Sequence, residues 1–203
     1  MKKKKSYIPT IVEIKFSNNK YNIKNISNIE SGFSPLSGFE PLYEPDYWNN
    51  KSNIKNNHNC YSYAFNDIKC KRQGKAQPGY FAHFPSIQND EYNCKDIYKR
   101  IKRDNPAITK IQFNHKCPNG TYKAFVAIDP DEETDYHFYR QDKNGYWSHK
   151  PGRSNVVNTD ASDKLIKNPA QANRNYGTYN YKIPCDFFCV KPDMSITKSN
   201  HIS

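Results

Sequence analysis

The spacing of apolar residues changes character part-way along the chain. Tyr61, Ala64, Phe65 and Ile68 recur at i, i+3, i+4 and i+7 behind Asn59, a good N-cap residue. They predict a short helix with Cys60 in its first turn. A second helix is predicted over Cys94–Lys102, capped by Asn93, with Ile97, Tyr98 and Ile101 on its apolar face and "DNP" as its stop. Strand-like runs follow at 122–128, 135–141, 146–149, 178–183 and 186–190. Helices first and strands later predict an α+β fold with an antiparallel sheet. No internal repeat is visible.

The polar flanks set the organisation. "TIVEIKF" (10–16) alternates imperfectly as one strand-like run, and the polar stretch after it has the composition of a loosely attached segment. Residues 31–50 are rich in Pro and Gly but also in aromatics, which predicts an irregular segment docked on the domain. Residues 71–85 read as a loop. The expected layout is a basic, partly mobile arm over 1–39, a compact domain over 40–192 and a tail over 193–203.

Composition refines this picture. A chain of 203 residues suits one domain with arms. Only 35% of it is hydrophobic, yet 16 Tyr and 11 Phe supply an aromatic core. The net charge of +11 sits largely in "MKKKK", in "YKRIKR" and in scattered lysines. Without a recognisable RNA-binding or helix-turn-helix motif, it implies weak polyanion affinity through the lysine-rich N-terminus. Pro9, Glu13 and Lys15 interrupt the early chain before a secretory signal or membrane span can form. Six cysteines without tight regular spacing read as free thiols. Together these features predict a protein kept in, or packaged from, a reducing intracellular compartment.

Cys60 is the first chemical candidate, because free amides at a helix start favour thiolate over thiol. The ordinary alternative is a small buried hydrophobe. A nucleophile needs a base, and His137, in the strand "DYHFYRQ", can supply one. His149 lies twelve residues on, across "QDKNGY". If Lys143–Asn144–Gly145 forms a three-residue loop with Gly145 left-handed, Asp142 pairs with Tyr146 and Tyr139 with His149. His137, Tyr139 and His149 then share a face; an even-numbered loop would separate the histidines and favour Asn158 or Asp160 as orienter.

This order of residues, in "NCYSYAF" and "HFYRQDKNGYWSH", resembles the NlpC-type branch of the papain-like thiol hydrolases. The resemblance covers about residues 55–150. It implies a nucleophile helix packed on an antiparallel sheet, with Cys60 as nucleophile, His137 as general base and acid, and His149 as orienter. It further implies hydrolysis or acyl transfer at an amide, ester or thioester through a covalent acyl-enzyme, on an unidentified peptide or acyl substrate. No cofactor is implied. The chain departs from the family's commoner Asp-Cys-Ser-Gly at Asn59, Tyr61 and Ser62, and in Phe138-Tyr139 after the base.

Three rivals accompany this reading. His58 and His83 are further base candidates. A structural zinc could draw on His58, Cys60, Cys70, Cys94, His115, Cys117, Cys185 and Cys189, although none forms a Cys-x-x-Cys pair. The non-enzymatic rival is a structural or binding protein that keeps the hydrolase fold, with "SGFEPLYEPDYW" as an aromatic contact surface.

Overall fold

A computed structural model describes residues 32–68, 76–131 and 134–191. "TIVEIKF", the lysines of "MKKKK", Cys70 and the expected tail lie outside the described residues. The helices are α1 (Pro45–Asn49), α2 (Ser52–Asn57), α3 (Cys60–Ala64) and α4 (Cys94–Asp104). The strands are β1 (Thr109–Ile111), β2 (Tyr122–Asp129), β3 (Asp135–Gln141), β4 (Trp147–His149) and β5 (Ile183–Val190). They form one antiparallel sheet in the order β1-β5-β2-β3-β4. The class is therefore α+β, as the periodicity predicts.

Local chemistry sets the helix ends. Asn59 and Ser62 form a reciprocal capping box on α3: the Asn59 side chain accepts from Ser62 N at 3.1 Å, and Ser62 Oγ accepts from Asn59 N at 3.0 Å. That helix stops at Ala64, short of Ile68, and Asn66 turns the chain with a positive φ of 51°. Asn93 caps α4 by accepting from Asp96 N at 3.0 Å, while Lys102 and Arg103 complement its last turn.

All eight residues of β2 are buried, so the sheet is covered on both faces. On one face Ala124, Val126, Phe138 and Phe188 pack with Tyr61 of α3, with Phe65 at its C-cap and with Ile97 and Ile101 of α4. On the other, Phe125, Ala127, Tyr139 and Trp147 pack with Ile166 and Tyr181 from the long connection between β4 and β5. Alternation along β3 therefore puts Tyr136 and Phe138 on the helix side, and His137 and Tyr139 opposite.

The segment before α1 is docked, as its aromatics predict. Gln141 Nε2 donates to the Ser34 carbonyl at 2.8 Å, and Arg140 Nη2 donates to the Leu42 carbonyl at 3.0 Å. Buried Lys123 donates to Ser34 Oγ and to the carbonyls of Phe113 and His115. Residues 34–40 thus belong to the packed body, which reaches below the boundary expected at residue 40.

Two expectations need correction here. The run 178–183 forms no strand; it is irregular up to Ile183, with one bridge between Asn175 and Asn180. The cysteines are not free thiols, because Cys94 pairs with Cys185 and Cys117 with Cys189. Their separations of 91 and 72 residues left no spacing rule to reveal them. Two disulfides contradict the reducing, intracellular setting and fit an oxidising, extracellular one. They also remove four candidate zinc ligands.

Candidate functional site

The hairpin between β3 and β4 has the three-residue loop. Asp142 N donates to the Tyr146 carbonyl at 2.9 Å, Gly145 N donates to the Asp142 carbonyl at 2.8 Å, and Gly145 has φ +88°. Only glycine takes that φ without strain. Tyr139 consequently pairs with His149, and both histidines emerge on one face. Their rings meet directly, His137 Nε2 to His149 Nδ1 at 2.7 Å.

The proton positions along this relay follow from its far end. His149 Nε2 lies 3.0 Å from the Thr159 carbonyl, which can only accept, so Nε2 carries the hydrogen. His149 Nδ1 is then the acceptor, His137 Nε2 the donor, and His137 Nδ1 an unprotonated nitrogen. Burial pushes the His137 pKa well below its usual value, and the neighbouring His149 pushes it the same way. Burial brings His149 down to about 4, against opposing contributions from the Thr159 carbonyl and Asp160. Both rings are therefore neutral near pH 7. Asn158 and Asp160, the alternative orienters, straddle Thr159; Asp160 spends its carboxylate on the amides of Ser162, Lys164 and Asn173.

Cys60 is buried in the helix-side core, whereas His137 stands on the opposite face of β3. The two meet at the start of that strand, where both line a cleft of about 630 Å³. The Cys60 Sγ lies 3.9 Å from the Tyr136 carbonyl and donates to it. His58 is buried against Trp48, its Nδ1 2.8 Å from the Ile54 carbonyl, and His83 sits in a turn with φ 58°; neither lines the cleft.

The remaining walls escaped the sequence reading. Tyr92 stacks on Tyr136 at 19° and 6.3 Å, and Tyr179 stacks on Tyr181 at 13° and 6.0 Å. Tyr181 in turn stacks on His137 at 30° and 4.9 Å, and its hydroxyl donates to Asp135 at 2.8 Å. The available signal was the i, i+2 spacing of Tyr179 and Tyr181, which marks one face whether or not a strand forms. The loop carrying Gln77 and Asn89 is held from α4. Asp104 accepts from Gly79 N, Ala82 N and the Tyr61 hydroxyl, while Arg100 bonds Glu91 and the Pro85 carbonyl.

Fold and site together define a disulfide-stapled α+β protein with a tyrosine-walled cleft. No family model matches the chain, and no solved structure matches it. Among curated proteins it is similar to "Insoluble matrix shell protein 1" of Ruditapes philippinarum, with 34% identity over 132 residues, or 65% of this chain and 80% of that protein. The chain belongs to the family of that shell protein.

This membership corrects the functional expectation. The relative bears the name of a matrix component, so the cysteine-dependent hydrolase or acyltransferase reading, with its peptidase description, is overturned. Among the described residues no helix is long and apolar enough to cross a membrane.

Proposed function

We propose that this protein is a structural, partner-binding component of an extracellular matrix, built on an NlpC-type, papain-like scaffold. The observation that carries this reading is the similarity to insoluble matrix shell protein 1 across 80% of that relative. The two disulfides support it, since they suit a protein that works outside a reducing compartment. The scaffold assignment rests on α3 packed against β3 and on the order Cys60, His137, His149. In this reading the histidine pair braces β3 against β4 and shapes the cleft floor. The lysine-rich N-terminus adds salt-sensitive affinity for polyanionic matrix material.

The test mixes the oxidised chain with the insoluble organic residue of demineralised shell. The protein is expected to stay bound through low-salt washing, and the folded chain should label at Cys60 with an acyl-type electrophile no faster than the urea-unfolded chain. Complete recovery in the first wash would overturn the proposal. So would a large rate advantage for Cys60 in the folded state.

A further inference from the structure

The cleft has a composition that neither the matrix role nor the histidine pair requires. Its two walls are stacked tyrosine pairs, Tyr92 on Tyr136 and Tyr179 on Tyr181. Its rim carries neutral hydrogen-bonding side chains, Gln77, Asn89, Thr134 and Ser154, while buried Asn59 beneath them spends its amide on the α3 cap and the Ala76 carbonyl. Among the described residues, the charged groups lining it are Asp135 and Arg153, one of each sign, and Asp135 already accepts from the Tyr181 hydroxyl. Beside it, a recess of about 110 Å³ is lined by Pro151, Tyr176, Tyr179, Tyr181 and His137.

These features select a ligand by exclusion and by fit. A polyanion would need clustered cations, and the lining supplies one among the described residues. A strongly apolar ligand would leave the rim amides and hydroxyls without partners, which costs free energy on desolvation. A sugar ring answers both demands: its C–H face packs on an aromatic face, and its edge carries hydroxyls that donate and accept. Tyrosine suits this role because its ring is a rigid apolar surface with little rotamer entropy to lose. Tyr179 is 37% exposed and Tyr92 half-buried, so both rings retain surface to offer. The recess beside the platform is small and mostly aromatic, the right character for a methyl-bearing substituent on the ring. The cleft volume lies within the usual range for ligand sites, about 300–1,000 Å³.

We infer that the cleft is a recognition site for an uncharged polysaccharide, with Tyr92 and Tyr179 as stacking platforms and the rim side chains reading sugar hydroxyls. The inference rests on the matrix-binding reading and names the partner chemistry of that site.

The experiment titrates the oxidised full-length chain with short soluble oligomers of glucose and of N-acetylglucosamine, at low and at high sodium chloride. Binding to either oligomer is expected, with little salt dependence, because no ion pair forms. Tyr179→Ala should weaken it at least about fivefold, the lower end of stacking losses on alanine substitution. Tyr92→Ala should do the same, while Lys99→Ala on the exposed face of α4 should not. Near-ultraviolet circular dichroism identifies any variant that fails to fold, and the surface position of Tyr179 keeps that variant informative. Binding that ignores both tyrosines would overturn the inference. So would binding of a polypeptide or of a polyanion in place of the sugars. Retention on the shell residue without sugar binding would overturn the inference and leave the matrix role standing. Sugar binding without retention would do the opposite.

Discussion

His149 is fully buried and hydrogen-bonded through both ring nitrogens, to His137 and to the Thr159 carbonyl. Its folded pKa lies below the unfolded value, so above about pH 6.5 both states are neutral and folding carries no protonation penalty. As pH falls from about 6.5 toward 4, the unfolded chain takes up a proton that the folded chain refuses, and stability declines. For His149 alone the loss by pH 5.5 is about 1 to 1.5 kcal/mol, and His137 adds in the same direction. Urea midpoints at pH 7.5 and 5.5 should show the decline, and a His137→Asn, His149→Asn double variant should flatten it. Gly79 gives a second residue-scale prediction. Its φ is +89°, and an added Cβ would lie 2.9 Å from Phe84 Cβ. Gly79→Ala should therefore cost about 1–3 kcal/mol, read in the same urea assay. At this scale the sequence was most legible where a short rule applied: Asn-Gly marked the hairpin turn while leaving its length open, and Asn59 marked the helix cap. Buried Lys123 and Arg140 were hidden, because a charged residue in an alternating strand reads as solvent-facing until its carbonyl partners, distant in sequence, are known.

Among elements, α4, β2 and β3 were readable because each has a long or regular apolar period, and β4 because it follows β3 across the Asn-Gly turn. β1 is only three residues, and none of them is buried, so it left no periodic trace. The run 178–183 alternates like a strand, but its aromatics face the cleft while β5 takes the sheet position from Ile183 onward. The staples were illegible for a different reason: pairing depends on which strands become neighbours. Each disulfide closes a long loop, and the chain-entropy account gives about 4 kcal/mol for each. Reductant should therefore lower the urea midpoint sharply. Cys117→Ser with Cys189→Ser should reproduce a large part of that loss, whereas a reducing-compartment protein would be indifferent.

For the whole molecule, class was legible and role was not. Periodicity identified the α+β layers, and the hairpin register placed His137 and His149 on one face, where their rings meet at 2.7 Å. The hydrolase reading drawn from the order Cys60, His137, His149 is overturned by the similarity to a shell matrix protein, a relationship that no short residue pattern in the chain signals. Charge acts on the same scale. The opening lysines contribute four of the net +11, so deleting them leaves +7. That deletion should shift elution from a polyanion column to lower salt and leave sugar binding unchanged, since the cleft has its own lining.

Both disulfides end on β5, which also lies between β1 and β2 in the sheet. Biosynthesis is vectorial, and this strand is the last of the described elements to leave the ribosome. Until it emerges, the place between β1 and β2 is vacant and Cys94 and Cys117 hold unpartnered thiols. During that interval they can join to each other, and the incorrect crosslink must later be exchanged when Cys185 and Cys189 arrive. At roughly 5–20 residues per second, the 67 residues between Cys117 and Cys185 occupy several seconds of synthesis. The native pairing thus calls for a compartment that can reshuffle disulfides as well as form them. A refolding assay with a disulfide isomerase should raise the yield of native pairs over oxidant alone.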